Sequence, residues 1–243
     1  MTNRIMICSA CLFAIAMVYP GCNNRSSATA PAGNIPTEQY TCNFDTINNN
    51  FKPQTNDTTG TVKDSGRNLL IGSGILQPVL YWALQYNYPV TAPRFVVSMR
   101  CSTTADTKAY EFSVAGKVAE YAGTQLQEGY YATVSPVSDK VALQRIDTIN
   151  TGLDSAGEYS IMQTLASKST RLNMGANKWY SLSLEINGTL LTTIVKDMTA
   201  NVSDTLSYTD TINGVKGTYV NMNGELPTGS SLYIDSFQVT GYH

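Results

Sequence analysis

Strict alternation of apolar and polar residues around a tight turn is the feature that most constrains the fold of this chain. In NKWYSLSLEINGTLLTTIVKD, residues 177–197, apolar side chains alternate with Ser and Glu before the turn. Because successive side chains leave opposite faces of a strand, this pattern predicts a strand with one buried face. Asn187-Gly188 follows, a dipeptide typical of two-residue type I′ turns. The sequence therefore predicts an antiparallel hairpin of 179–186 and 189–196.

Similar alternation recurs along the chain, separated by segments rich in Gly, Pro, Asn and Ser. Strand-like runs occur at 80–88, 95–101, 110–114, 130–134, 141–145, 217–222 and 231–243. Many short strands with turns between them are typical of an all-β sandwich or barrel. A short helix at 153–167 is the one departure that the pattern allows. The tetrapeptide DTIN begins at Asp45, Asp147 and Asp210, but its unequal spacing does not indicate an internal repeat.

The N-terminal segment has the pattern of an export signal. Arg4 precedes an apolar run over 5–18, which is too short to span a bilayer comfortably. The run is followed by Tyr19-Pro20-Gly21-Cys22, and Gly directly before Cys at this place resembles the cleavage box of bacterial lipoproteins. An ordinary secretory signal with an incidental Cys22 is the alternative.

The lipoprotein interpretation divides the chain into three parts. It predicts a signal peptide over 1–21, a flexible tether over 22–39 that is lipidated at Cys22, and one folded domain over 40–243. The polar composition of the tether favours this division. The predicted location is the cell envelope, at the outer membrane or the cell surface, with the lipid as the only membrane contact.

The cysteines can be sorted on the same interpretation. Cys8 and Cys11 leave with the signal peptide, and Cys22 carries the lipid. Cys42 and Cys101 remain, which is an even pair in an oxidising compartment. A Cys42–Cys101 disulfide is one prediction, and two buried free thiols are the other.

Charge and aromatic content restrict the partners of the domain. The formal net charge is −2, which argues against a basic, nucleic-acid-binding surface. The chain has 15 Tyr but only 6 Phe. This excess suits a secreted β-protein, because Tyr can bury its ring and keep its hydroxyl in water.

Four segments, taken in order, resemble a known superfamily. They are YTCNFDTINNNF (40–51), GYYATVSPVSDKVALQRID (129–147), the hairpin segment 177–197 and SLYIDSFQVTGYH (231–243). Their order is similar to that of the concanavalin A-like lectin/glucanase jelly rolls, including the laminin-G-like domains of secreted bacterial proteins. The resemblance implies a two-sheet antiparallel jelly-roll sandwich over 40–243, with a concave sheet that holds a glycan in relatives.

The residues argue against common catalytic chemistry. Glucanase relatives carry alternating acids on one strand, which places two carboxyls close together. Here no Glu is followed by Asp two residues later, and Glu111 and Glu185 each stand alone on a predicted strand. His243 is the only His, which excludes an ordinary Ser-His-Asp triad and His-based zinc sites. Enzymatic activity is therefore not predicted.

The residue types present suit glycan binding better than catalysis. Tyr and Trp rings stack on the apolar faces of sugars, while acids accept hydrogen bonds from sugar hydroxyls. The candidate ligand-binding residues are Trp82, Tyr86, Tyr88, Tyr130, Tyr131 and Glu185. The resemblance also implies a structural Ca²⁺ where the first and last strands meet, with Asn43, Asp45 and Asp235 as candidate ligands. The alternative is that these acids are an ordinary turn cap and a strand residue.

Three functions follow from this combination. The preferred one is a surface-anchored lipoprotein whose jelly roll binds a glycan or polysaccharide without catalysis. A structural or adhesive envelope protein that contacts other proteins is the alternative, and a divergent polysaccharide hydrolase or lyase on the same fold is the third.

Overall fold

The computed structural model describes residues 22–23, 36–44, 51–55, 59, 61–64, 69–72, 79–86, 89–105, 110–121, 127–136, 138–154, 157–212 and 215–243. Within these ranges every regular element is a β-strand. The strands are β1 (Cys22–Asn23), β2 (Pro36–Cys42), β3 (Phe51–Thr55), β4 (Thr61–Asp64), β5 (Leu69–Gly72), β6 (Val79–Tyr86), β7 (Arg94–Thr103), β8 (Glu111–Glu120), β9 (Gln127–Ser135), β10 (Lys140–Asp154), β11 (Gly157–Ser169), β12 (Trp179–Asn187), β13 (Leu190–Asp197), β14 (Val202–Thr209), β15 (Tyr219–Pro227) and β16 (Ser231–Tyr242). Nowhere in those ranges does a helix reach the length and apolarity that a membrane span requires.

The strands form two antiparallel sheets. The nine-stranded sheet has the main order β1-β2-β16-β7-β12-β13-β14, and β5 also pairs with β16 and with β4. The seven-stranded sheet has the order β11-β10-β9-β8-β15-β6-β3. The predicted all-β, two-sheet jelly-roll sandwich is confirmed.

The core lies between the sheets and is built by the alternation seen in the sequence. On β12, Leu182, Leu184 and Ile186 are fully buried, while the residues between them are only half-buried. The seven-stranded sheet supplies Val114, Ala132, Val134, Leu143 and Met222 to the same cluster. Each strand therefore turns one apolar row inward and one more polar row away from the core.

The hairpin of β12 and β13 is confirmed, although its turn differs from the prediction. Asn187 pairs with Leu190, so the two central turn residues are Gly188 and Thr189. Gly188 has φ +57°, whereas Thr189 is not in the positive-φ region. A positive φ at the first central residue alone is the type II′ pattern, with Gly at its favoured place, and not the predicted type I′.

The structure differs from the prediction in two segments of the chain. Residues 36–39, assigned to the tether, form the beginning of β2, and the backbone of Cys22–Asn23 also pairs with β2. In the segment 153–167, for which a short helix was the expectation, residues 153–154 and 157–167 are not helical but belong to the strands β10 and β11. Its Tyr, Ile and Thr content suits a strand better than a helix.

The predicted Cys42–Cys101 disulfide is also wrong. Cys101 is a buried free thiol, and Cys42 is disulfide-bonded, so its partner is another cysteine. Cys42 and Cys101 lie on β2 and β7, which are separated by β16. Two strand spacings amount to about 9–10 Å, beyond the Cα separation that a disulfide spans. In the sheet register, the backbone of Cys22 lies opposite Cys42.

Candidate functional site

The side of the seven-stranded sheet that faces away from the core carries a continuous set of polar side chains. Registered pairing aligns them in rows across β6, β15, β8, β9 and β10. We call this surface the polar face, and it comprises Gln85, Glu111, Ser113, Thr133, Gln144, Asn221, Asn223 and Glu225. Each of these residues alternates with an inward residue of its strand, as Asn221 and Asn223 do with Met222.

Hydrogen bonds join neighbouring strands along the polar face. The Ser113 hydroxyl donates to Asn223 Oδ1. The Thr133 hydroxyl donates to Gln144 Oε1 at 2.6 Å. These bonds use only part of the hydrogen-bonding capacity of the same amides and hydroxyls.

Two acceptors on the polar face lack a partner. Asn221 is only 6% exposed, and its Oδ1 has no hydrogen-bond partner among the described residues. Gln85 lies directly opposite on β6, and its Oε1 is likewise unpartnered within the described part of the chain. Buried polar atoms are rarely left unpaired, because each one costs desolvation free energy. These two buried acceptors are therefore the groups of the polar face whose hydrogen-bonding capacity the described residues leave unused.

Glu111 and Glu225 face each other on the polar face. They are cross-strand partners on β8 and β15, a relationship that places Cβ atoms about 4.5–5.5 Å apart. Burial, together with the neighbouring charge of Glu225, raises the pKa of Glu111, and burial raises the pKa of Glu225. Sequence reasoning missed this pair, because no local pattern connects residues on two distant strands.

Gly224 permits the close approach of β15 to β8 beside the pair of Glu111 and Glu225. A Cβ at Gly224 would lie 2.2 Å from the backbone oxygen of Glu111. A larger residue would push β15 away from β8, so the glycine fixes the spacing between Glu111 and Glu225.

An apolar cluster borders the polar face. It consists of Ala115, Val118, Tyr131 and Ile146, with Tyr219 packed against it. The ring of Tyr131 covers Gly129, where an added Cβ would lie 3.1 Å from the ring. Tyr131 is only 3% exposed, and burial raises the pKa of its hydroxyl. The aromatic surface beside the polar face is therefore mostly covered.

Most of the predicted ligand-binding aromatics lie elsewhere. Trp82, Tyr86 and Tyr130 are buried in the core between the sheets, so the prediction that their rings are open to a ligand is wrong. Tyr86 packs on Tyr40 with ring centroids 4.3 Å apart. Tyr131 alone is on the polar-face side, and Tyr88 lies outside the described residues. Alternation predicted the strands, but it could not show which of their two faces is core.

Glu185 lies on the opposite side of the molecule, facing away from the core on the nine-stranded sheet. Its Oε1 accepts a hydrogen bond from Arg94 Nε at 2.7 Å. The structure therefore does not bring Glu185 together with the predicted aromatic residues.

The predicted calcium site stays a prediction, because only part of it lies among the described residues. The first and last strands of the domain, β2 and β16, are neighbours as expected. However, the Asp235 carboxylate lies 3.2 Å from Arg100 Nη1, and a carboxylate paired with a guanidinium is a poor ligand for Ca²⁺. Asn43 is exposed, and Asp45 falls outside the described residues. Within the described ranges, no group of three or more His, Cys, Asp or Glu is placed to hold a metal.

A second charged cluster is buried at one end of the core. Arg145 Nη1 donates to both carboxylate oxygens of Asp210 at 2.9 and 2.8 Å, and Nη2 donates to Gln163 at 3.1 Å. Arg145 Nε lies 2.7 Å from Asp147 Oδ2, at an angle that leaves a charge contact and not a hydrogen bond. The Tyr130 hydroxyl donates to Asp210 at 2.9 Å. Because these side chains are almost fully buried, the cluster holds the core together and does not face a ligand.

Comparison with known proteins identifies the fold. No family model and no curated protein sequence matches the chain. Arcelin-5, a lectin-like defence protein from Phaseolus vulgaris, superimposes with a TM-score of 0.58 at 8% identity, covering 84% of this chain and 99% of arcelin. Lectin I from Ulex europaeus, in complex with the methyl glycoside of α-L-fucose, gives 0.54 at 10% identity, covering 84% of this chain and 98% of the lectin.

A bacterial structure shows the same similarity. A protein of unknown function with a galectin-like fold from Bacillus subtilis gives a TM-score of 0.54 at 8% identity, covering 78% of this chain and 88% of its own. At these identities the likeness concerns the fold alone. The chain therefore has the lectin-like jelly-roll sandwich fold.

Proposed function

We propose that this domain binds a glycan on the polar face of its seven-stranded sheet. The observation that carries the proposal is the pair of unpartnered acceptors, Asn221 Oδ1 and Gln85 Oε1, within a registered surface of amides, hydroxyls and carboxylates. Sugar hydroxyls donate and accept hydrogen bonds, so a surface of this composition suits them. Lectins of the same fold have been crystallised with the methyl glycoside of α-L-fucose and with methyl-α-D-galactose, which adds support at the level of the fold.

The outward face of the nine-stranded sheet is a weaker candidate, because the two arginines that β7 carries on it already have partners. Arg94 pairs with Glu185 and lies over the ring of Tyr242, 4.8 Å from its centroid. Arg100 pairs with Asp235 and lies 5.2 Å from the centroid of Trp179. A ligand would have to displace these contacts before it could bind.

Binding to a panel of soluble polysaccharides tests the proposal. We expect the folded domain to bind at least one of them, and we expect Asn221→Ala to weaken that binding by about tenfold, since the buried acceptor Oδ1 is lost. Gln238→Ala, on the outward side of the nine-stranded sheet, is the matched control and should bind as the wild type does. A folded wild type that binds none of the panel would favour the structural or adhesive alternative.

The facing carboxyls of Glu111 and Glu225 favour a second candidate, a divergent glycoside hydrolase. Retaining glycosidases use two carboxyls about 5–5.5 Å apart, one as nucleophile at the anomeric carbon and one as proton donor to the leaving oxygen. Cross-strand partners on one face can meet that spacing. Release of shorter saccharides by the wild type, but by neither Glu111→Gln nor Glu225→Gln, would establish this activity.

We also propose that the mature protein is attached to the cell envelope, at the outer membrane or cell surface, by a lipid on Cys22. The support is the apolar run over 5–18 followed by Gly21-Cys22. Intact-mass analysis of the membrane fraction tests this, and a mature protein that begins elsewhere would contradict it. A thioether-linked lipid leaves no thiol on Cys22, and Cys8 and Cys11 would leave with the signal peptide, so a disulfide between Cys42 and another cysteine of the same mature chain would also contradict this proposal.

A further inference from the structure

We infer that Glu111 and Glu225 form a subsite for a protonated amine, so that the preferred ligand of the polar face is an oligosaccharide containing amino sugars with free amino groups. This inference rests on the proposed glycan-binding function and names the class of ligand for the same surface.

The first step concerns the charge of the pair. Glu111 and Glu225 lie opposite each other on adjacent strands, and no cation of the described residues forms an ion pair with either. Two neighbouring carboxylates repel each other. Burial and the charge of Glu225 raise the pKa of Glu111, and burial raises the pKa of Glu225. A cation between them would remove the repulsion, so the pair favours a positively charged ligand group.

The second step concerns the groups around the pair. Glu111 is hydrogen-bonded to Ser135 on β9, and Lys140 on β10 is the next residue in this row. Lys140 is exposed and makes no ion pair with Glu111. Within the described part of the chain, no cation neutralises the pair.

The third step concerns the rest of the ligand. Asn221 lies on the same side of β15 as Glu225, four residues away, which is about 13 Å at the rise of a strand. Its buried, unpartnered Oδ1 is a second acceptor, independent of the two acids. Carboxylates at one end and amide acceptors at the other suit an extended ligand that is rich in donors, with an amine at the Glu111–Glu225 end.

An ammonium group fits this subsite better than a metal ion does. An ammonium has three donors and can be held by two carboxylates and a neighbouring hydroxyl. Ca²⁺ requires six to eight oxygens, whereas Glu111 and Glu225 are not part of any group of three or more metal-ligating acids, His or Cys among the described residues.

Titration of the full domain with a glucosamine trimer and an N-acetylglucosamine trimer at about pH 6 tests the inference. At that pH the amines carry a proton, since amino groups of this type lose it near pH 8. We expect the glucosamine trimer to bind about tenfold more tightly or better. Glu111→Gln and Glu225→Gln should each abolish this preference by weakening binding of the glucosamine trimer. Glu185→Gln, which removes a carboxylate from the opposite side of the molecule, should preserve the preference.

The outcomes separate the two proposals. Equal binding of both trimers by the wild type, or a preference that survives both Gln variants, overturns the amine subsite and leaves glycan binding intact. A folded wild type that binds neither trimer nor any polysaccharide overturns both. Calcium alone serves as a further probe: a rise in Tm on adding it, lost in Glu225→Gln, would mean that the pair is a metal site and would overturn the inference.

Discussion

Arg145 lies with its guanidinium between two buried carboxylates, Asp147 and Asp210, at the end of the core. Removal of the cation leaves both carboxylates without their charge partner, and breaking a buried pair in this way costs about 3–5 kcal/mol. We expect Arg145→Ala to lower the free energy of unfolding by that amount in urea titrations. Arg100→Ala breaks the half-exposed pair with Asp235 and should cost at most about 1 kcal/mol. Equal losses in the two variants would contradict the role assigned to Arg145.

The pKa values of the domain's carboxyl groups are shifted in opposite directions, those of Asp147 and Asp210 downward and that of Glu111 upward. Burial alone would raise the pKa of Asp147, but hydrogen bonds from Asn150 and the charge of Arg145 outweigh it and lower the pKa. In the same way, hydrogen bonds from Arg145 outweigh burial and lower the pKa of Asp210. These groups stabilise the folded state above the pKa of the unfolded chain, and that stability is lost as the pH falls through their folded pKa values.

Glu111 has the opposite sign. Its folded pKa is raised, so the folded state is penalised once the pH exceeds the ordinary pKa of Glu, and the full penalty is present above the folded pKa. We therefore expect Glu111→Gln to have a higher Tm than the wild type at about pH 7, with the difference disappearing below about pH 4. Thermal unfolding across this pH range measures both values. A wild type that is more stable than Glu111→Gln at neutral pH would show that the carboxylate is not repelled there.

The DTIN tetrapeptides show what single residues can and cannot reveal. Asp147 accepts hydrogen bonds from the backbone of Ile149, and Asp210 does so from Ile212, as Asp commonly does at the start of a turn. This shared turn chemistry is a local property of the tetrapeptide. In the structure both aspartates also bind Arg145. Asp147 lies two residues from Arg145 on the same face of β10, whereas the contact with Asp210 depends on how the two sheets pack and has no local sequence signal.

At the scale of the element, the hairpin of β12 and β13 allows a direct test of the predicted core face. Leu184 is fully buried and contributes to the cluster between the sheets. Leu184→Ala should lower the free energy of unfolding by about 2–5 kcal/mol, through lost burial and the cavity that remains. Ser183→Ala, on the half-buried opposite face of the same strand, should change it by about 0.5 kcal/mol or less. Similar values for the two would mean that the strand faces are reversed.

Where both faces of a strand are covered, alternation no longer identifies the face that packs in the core. On β9, Tyr130 and Tyr131 are consecutive and both buried, one in the core and one under the apolar cluster that borders the polar face. Period-2 patterning cannot distinguish two buried faces from each other, so the binding role given to Tyr130 was misplaced. The acid pair on the polar face was missed for a related reason, since it is made by the pairing of β8 with β15.

At the scale of the whole molecule, the sequence predicted the two-sheet sandwich because turn residues and alternating runs are local properties. The order of strands is a non-local property, and the disulfide prediction failed on it. Cys42 and Cys101 both face inward and both lie on the nine-stranded sheet, but β16 runs between their strands. Topology therefore decides which inward-facing cysteines can meet, and alternation alone cannot.

The buried Cys101 thiol reports on opening of the whole sandwich. It is 1% exposed in the centre of the nine-stranded sheet, and burial raises its pKa, so a thiol reagent can reach and deprotonate it only after the sheets separate. We expect alkylation of Cys101 in the native protein to be slow and to accelerate in Leu184→Ala by the factor by which the lost stability raises the population of the opened state. In Arg100→Cys the introduced thiol takes a half-exposed site on the neighbouring residue, and it should react rapidly without unfolding. Rapid labelling of Cys101 in the native wild type, at the rate seen for that control, would show that the centre of this sheet opens without global unfolding.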